Sequence, residues 1–243
     1  MTKRVLVTGA AGAIGSTVMR ELAGEFDLTG LEVVAAPGIA QVDIGDYDAL
    51  LPHFAGIDAI VHLGADPHVD AAWESVLRNN IIGTRNVYEA ARVQGVRRVV
   101  FASSHQTTVG WEEEEPWVSV LNGTPPPADF EPLNATTPFR PSGDYGASKA
   151  WGEVQGRVYS DHFGLSVINL RIVWCSHDGA PPLMTPGRWL SLGDAARAIR
   201  ASILAGDDLR FGVYYIVSDN ANMIFDREAA IRDLGFIAGD GVR

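Results

Sequence analysis

Short apolar runs alternate with amphipathic stretches through the first half of the chain, and each run has the length of a strand. Arg4 to Thr8 (RVLVT) is brief and β-branched, which predicts a buried strand. Apolar residues at Ile14, Val18, Met19 and Leu22 then recur at helical spacing over Ile14–Leu22. The same alternation predicts strands at Leu28–Val34, Ala40–Val42 and Asp58–Leu63, and a helix at Asp46–Phe54. A long helix follows over Asp70–Val93, stopped by Gly95, and then a strand at Arg98–Ser103. After a break the pattern resumes with helix Tyr145–His162, strand Ser166–Val173, helix Leu192–Leu204 and strand Val213–Val217. Strands and helices alternating with short connections predict an α/β fold, a doubly wound parallel sheet covered on both faces with right-handed crossovers.

The break is Gly110–Pro141. It holds the acidic run Glu112–Glu115, the triplet Pro125-Pro126-Pro127 and prolines at 132, 138 and 141. These predict a long surface excursion with the acids on a solvated face and Trp111 and Trp117 as parts of a lid. The 243 residues suit one domain, and no internal repeat or clean boundary divides them.

A formal charge of −11, from 30 acidic and 19 basic residues, argues against a nucleic-acid partner, which needs a cationic face. Cys175 is the only cysteine, so an intramolecular disulfide and a Cys-rich zinc site are excluded. No His and carboxylate set has metal spacing, and no metal is expected. No stretch approaches the roughly 18–20 apolar residues of a membrane helix, and no signal peptide is visible. The expectation is a cytoplasmic protein without a membrane partner.

Chemistry enters at Val7-Thr8-Gly9-Ala10-Ala11-Gly12-Ala13-Ile14-Gly15, which follows a strand and opens a helix. Gly9 permits a tight turn, Gly12 lets backbone approach a pyrophosphate, and Gly15 lets helix and strand pack closely. The amides at the helix start, Ala13 and Ile14 among them, then face an anion. Glu32, near the end of the second strand, is the candidate for the adenosine ribose hydroxyls, with a solvated loop acid as the other reading. No arginine lies between Glu21 and Leu77 to hold an extra phosphate, which favours NAD over NADP.

Tyr145 and Lys149, in Tyr145-Gly146-Ala147-Ser148-Lys149, lie one helical turn apart on one face. Hydride cannot leave an alcohol efficiently unless the hydroxyl proton leaves too. A tyrosine with a pKa near 10 is a poor base until a cation favours its phenolate. Ser104, where a strand ends, is the candidate donor to the substrate oxygen, with Ser103 as the alternative. His105 and His177 follow strand ends and are candidate pocket contacts. His62 is expected to be a packed, hydrogen-bonded core histidine, and His53, His68 and His162 surface residues.

TGAAGAIG, HLGAD, NNIIGT, FASS and YGASK occur in the order shown by the extended short-chain dehydrogenase/reductase (NAD-dependent epimerase/dehydratase) superfamily, and the chain resembles it over roughly residues 3–235. The resemblance implies a Rossmann-type fold binding NAD, with a Ser-Tyr-Lys core at Ser104, Tyr145 and Lys149. It implies that Asn80 supports the active-site water and lysine, where a capping or packing role is the alternative. Asp43-Ile44 would lie by the adenine, and Leu63-Gly64-Ala65 would line the cofactor. Residues 1–171 would be mainly dinucleotide-binding, and 172–243 a small C-terminal substrate-binding portion.

Within that superfamily the chain looks most like uronate dehydrogenases, which oxidise a free hexuronic acid at C1 to a lactone with NAD. The implied function is NAD-dependent oxidation of a sugar or uronic acid, with Ser104, His105, Gln106 and Arg188 toward the substrate. Departures occur at His105-Gln106, where those enzymes carry Asn-His, and at Val173-Trp174, where they carry small residues. Asp66 also stands where its carboxylate would repel a uronate. The alternatives are a nucleotide-sugar epimerase or dehydratase, against which the short stretch after Arg171 counts, and a redox-inactive dinucleotide sensor. A homodimer or higher homo-oligomer is expected, through the helices over Asp70–Val93 and Tyr145–His162.

Overall fold

Seven strands, all parallel, form one sheet in the order β3-β2-β1-β4-β5-β6-β7. The computed structural model describes residues 2–176 and 186–242. The strands are β1 (Arg4–Thr8), β2 (Asp27–Glu32), β3 (Ala40–Gln41), β4 (Ala59–His62), β5 (Arg98–Ser104), β6 (Ser166–Ile172) and β7 (Phe211–Ile216). The helices are α1 (Ala13–Glu21), α2 (Tyr47–Leu50), α3 (Trp73–Ser75), α4 (Thr84–Val93), α5 (Trp117–Leu121), α6 (Asp144–Phe163), α7 (Leu192–Leu204) and α8 (Glu228–Leu234).

Successive side chains of a strand point to opposite faces, and here both faces are apolar. Val5 and Val7 join the layer that includes Ile168, Leu170 and Ile199. Leu6 joins Ile60, Val99 and Val167 under α4 and α6. Burying each such aliphatic side chain contributes about 1.5–3 kcal/mol. The chain runs outward from β1 through β2 to β3, then returns to β4 and continues the other way. The crevice between β1 and β4 is therefore the topological switch point, where such sheets bind ligands at the carboxyl ends.

The expected long helix is present but not uniform. Between α3 and α4, Val76–Gly83 is π-helical. Such widened turns are frequent at functional sites, and this one carries Asn80. The excursion departs further from expectation, because it is folded down rather than solvated. It contains α5 and buries Val120, Leu121 and Leu133. Trp111 and Trp117 donate their indole N–H groups to the carbonyls of Pro138 (2.9 Å) and Glu131 (3.0 Å). Leu133 exchanges backbone hydrogen bonds with Ile224 and Asp226, fastening the excursion to the C-terminal stretch.

α6 lies close on β5 because glycines face the sheet. A Cβ on Gly152 would overlap the Phe101 ring, and one on Gly146 would overlap the Gln106 carbonyl. Beside Gly152, Glu153 makes a two-pronged ion pair with Arg171 of β6, both bonds 2.9 Å and both side chains buried. Ser103 donates to the same carboxylate at 2.5 Å. Removing one member leaves an uncompensated buried charge. Glu153→Ala should therefore lose about 3–5 kcal/mol of stability, read as a lowered denaturation midpoint in urea. A change below 1 kcal/mol would show that the pair is solvated.

Candidate active site

The glycine loop bridges β1 and α1 with the geometry an anion needs. Gly9 holds φ of +71°, and a Cβ there would stand 2.9 Å from the backbone of Leu63 and Gly64. A Cβ on Gly15 would overlap the Gly9 carbonyl oxygen. The strand end after β4 is pinned to β1, since Leu63 N donates to the Thr8 carbonyl and Gly64 N to Thr8 Oγ1, both 3.1 Å. These contacts draw Gly9, Gly12, Gly15, Leu63, Gly64 and Ala65 around one crevice, with Ala13 and Ile14 at the start of α1. Glu32 is the last residue of β2, and its carboxylate accepts the Ala11 N–H at 3.1 Å. It therefore stands over the loop rather than in free solvent.

Asp43 and Ile44 follow β3. Asp43 accepts from Gly45 N (2.7 Å) and Arg78 (2.5 Å), and its pKa is lowered: burial raises it, but the Arg78 and Gly45 hydrogen bonds outweigh that. Arg78 stands 35 residues from Asp43 in the chain, so its place beside the cradle carries no local signal in the sequence and only the fold brings it to Asp43.

Ser104, Tyr145 and Lys149 meet where β5 ends and α6 begins. Tyr145 and Ser104 share a hydrogen bond, and Ser104 Oγ also accepts the Gln106 N–H at 3.2 Å. Ser103 is turned to Glu153 and does not join them. Lys149 is buried, donates to the Ala102 carbonyl at 2.8 Å, and lies 5.8 Å from the Tyr145 ring centre. Burial pushes its ammonium down to about 8. The Tyr145 phenol is pushed up, chiefly by burial and also by the Asp66 carboxylate, against the Ser104 bond that lowers it. Burial outweighs any lowering of the phenol by Lys149, whose ammonium donates to the Ala102 carbonyl.

Asn80 is buried, and its amide clasps the Asp66 backbone, accepting from Asp66 N (2.8 Å) and donating to Asp66 O (3.1 Å). It also donates to Ser148 Oγ at 3.1 Å. It thus ties the strand end after β4 to α6 at the residue before Lys149. His62 is enclosed between Thr8 Oγ1 (2.8 Å) and Thr84 Oγ1 (3.1 Å), and burial, with Lys149 adding, pushes its pKa down to about 3.

On the far side of Ser104, His105 is buried and its Nδ1 lies 2.7 Å from Glu112 Oε1. Glu112 is 1% exposed, so the first member of the acidic run is a core residue and not part of a solvated face. Arg188 Nε lies 2.5 Å from Glu112 Oε2, a charge contact made off the N–H axis. The Gln106 amide is 3.4 Å from His105 Nε2. Of the surface histidines, His68 and His162 are exposed and His53 is half-buried. His177 lies outside the described residues. Among the described residues no group of His, Cys, Asp and Glu could hold a metal ion, and no helix is long and apolar enough to cross a membrane.

A glycine cradle at the switch point of a doubly wound parallel sheet, with a serine, tyrosine and lysine beside it, defines a class of dinucleotide-dependent enzymes. The chain belongs to the NAD dependent epimerase/dehydratase family, whose model matches residues 5–175. It is 37% identical over 217 residues to an L-arabinose 1-dehydrogenase (NAD(P)(+)) of Haloferax volcanii, covering 83% of each chain. It is 32% identical over 249 residues to an NAD-dependent glucose-6-phosphate dehydrogenase of the same organism, covering 97% of this chain and 93% of that one. A mutant uronate dehydrogenase from Agrobacterium tumefaciens, solved in complex with NAD, superposes with a TM-score of 0.80 at 34% identity, over 99% of this chain and 86% of that one.

Because the folded state holds His62 neutral down to about pH 3 while the unfolded chain protonates it near 6.5, stability falls as pH drops through that window. The stability conferred by His62 is intact above 6.5. At pH 5 the loss from this one residue is about 2 kcal/mol. His62→Gln, which keeps partners for both threonines, should lose that much less than the parent between pH 7.5 and 5 in paired urea titrations. Equal losses in the two proteins would mean that His62 takes up its proton in the fold.

Proposed function

We propose that this chain is an NAD-dependent dehydrogenase that oxidises the C1 hydroxyl of a free sugar to a lactone. The observation that carries the reading is the convergence of Ser104, Tyr145 and Lys149 on the edge of a glycine cradle bearing a carboxylate at its mouth. The cradle fits a dinucleotide: Gly9 and Gly15 leave no room for a Cβ, and Glu32 is placed for ribose hydroxyls. A 2′-phosphate would meet the Glu32 carboxylate, which favours NAD over NADP.

Gly9, Gly12, Ala13, Ile14 and Gly15 would hold the pyrophosphate, Asp43 and Ile44 the adenine side, and Leu63 to Ala65 the floor. NAD, when bound, supplies the hydride acceptor and a positive charge beside the phenol. Ser104 donates to the sugar oxygen and orients it. Tyr145 takes the hydroxyl proton as the C1 hydrogen departs with its electron pair. Lys149 offers the cation that holds the phenolate, and Asn80 fixes the backbone around it. On this reading residues 1–171 carry the dinucleotide, while 172–243, with Arg188, complete the sugar side with His105 and Gln106. Leu77 on the π-helical turn, with Val154 and Val158 on α6, remains exposed and apolar, which supports pairing of two copies along these helices. An NAD-linked oxidation fits the cytoplasm.

The reading is tested by following NAD reduction with a panel of free sugars, uronic acids and nucleotide sugars. Tyr145→Phe should lower kcat by about 10²- to 10⁴-fold while the circular dichroism spectrum is unchanged. Undiminished turnover in that variant would remove Tyr145 from the chemistry. Conversion of a nucleotide sugar with no net NADH, read by chromatography of the sugar product, would replace the dehydrogenase with an epimerase or dehydratase.

A further inference from the structure

We infer that the sugar this site accepts is uncharged, and that Glu112 enforces the choice. The inference rests on the dehydrogenase reading and sharpens it. It begins with a carboxylate in an unexpected place. Glu112 belongs to an excursion rich in acids, yet its side chain is wholly buried and set between the two charge-bearing groups on the sugar side.

Arg188 is the residue there with the charge to attract a carboxylate or phosphate. Its guanidinium is 27% exposed and has the Glu112 carboxylate 2.5 Å from Nε. In a site shielded from water, an ion pair at contact distance presents almost no net charge to a third group. An anionic substituent would therefore gain little from Arg188.

The other wall carries a negative charge. Asp66, 19% exposed, is held by Ser75 Oγ (2.5 Å) and His68 Nδ1 (2.8 Å) and exerts its charge on the Tyr145 phenol. A uronate or sugar phosphate bound near Tyr145 would therefore face the Asp66 carboxylate with Arg188 already neutralised by Glu112.

What the site offers instead suits hydroxyl groups. His105 donates from Nδ1 to the Glu112 carboxylate, and its Nε2 lies 3.4 Å from the Gln106 amide. The Gln106 amide supplies a donor and an acceptor, and Ser104 a hydroxyl. Thr108 and Tyr215 share a 2.6 Å hydrogen bond, so each hydroxyl has a partner. The set is hydrogen-bonding, as an aldose requires.

The test compares kcat/KM, with NAD, for L-arabinose, D-xylose and D-galactose against D-galacturonate, D-glucuronate and glucose 6-phosphate. The best uncharged aldose should exceed every anionic sugar by at least tenfold. Glu112→Gln keeps the volume and removes the charge, and should move the uronate-to-aldose ratio at least tenfold toward the uronate. The double variant Glu112→Gln/Arg188→Gln should return it. If Glu112→Gln does not fold, the wild-type ratio decides alone. A wild-type preference for a uronate or the sugar phosphate overturns this inference and leaves the dehydrogenase standing. No NAD reduction with any sugar overturns both.

Discussion

At the centre of the molecule a guanidinium and a carboxylate, Arg171 and Glu153, face one another out of contact with water. Their two parallel hydrogen bonds join β6 to α6, and Ser103 adds β5. Arg171 reaches further, to the Asn134 carbonyl in the excursion and the Tyr215 hydroxyl on β7. Removing two charges from water costs several kcal/mol apiece, and only good geometry with saturated partners offsets it. The arrangement therefore allows little slack. α6 cannot slide along the sheet, nor the excursion lift from it, without stranding a charge. Tyr145, Lys149 and Glu112 are all positioned by elements that this cluster fixes.

The same immobility explains the electrostatics of the candidate site. Lys149 is enclosed over Phe101 and anchored to Ala102, and its charge is costly to keep there. Tyr145 is likewise enclosed, with a carboxylate near it, so the phenol is a weaker acid than in water. Burial thus disfavours the charged form of both groups, the ammonium and the phenolate alike.

Much of this was legible in the sequence. Strands buried on both faces read as plain apolar runs, and β1 and α7 stand where their residues predict. The glycine loop declares itself because Gly9 and Gly15 have no substitutes. Tyr145 and Lys149 are visible through helical spacing, a local property. What escaped is non-local or too short to show a period. The five residues of α5 and seven of α8 carry little periodicity. The π-helical turn shifts the face on which Asn80 lies without leaving a compositional mark. The burial of Glu112 depends on His105 and Arg188, neither of which adjoins it in sequence, so a run of four glutamates reads as solvated when its first member is not.

That last failure bears on how one scaffold serves several substrates. The family relatives include enzymes named for a neutral pentose, a hexose phosphate and a uronic acid, and the solved uronate dehydrogenase shares its fold with this chain. Removing a proton from an anomeric hydroxyl is indifferent to what hangs from the far end of the sugar. Discrimination must then come from charge placed away from the reacting atoms, on segments free to change without moving Tyr145. The excursion is such a segment: it is fastened at Asn134 and Leu133, and its acidic turn reaches His105 and Arg188 through Glu112. On the role inferred for Glu112, a single carboxylate there would decide whether Arg188 acts as a cation or as one half of a neutral pair. Chemistry would then rest on the sheet and α6, and selectivity on a loop that the sheet anchors.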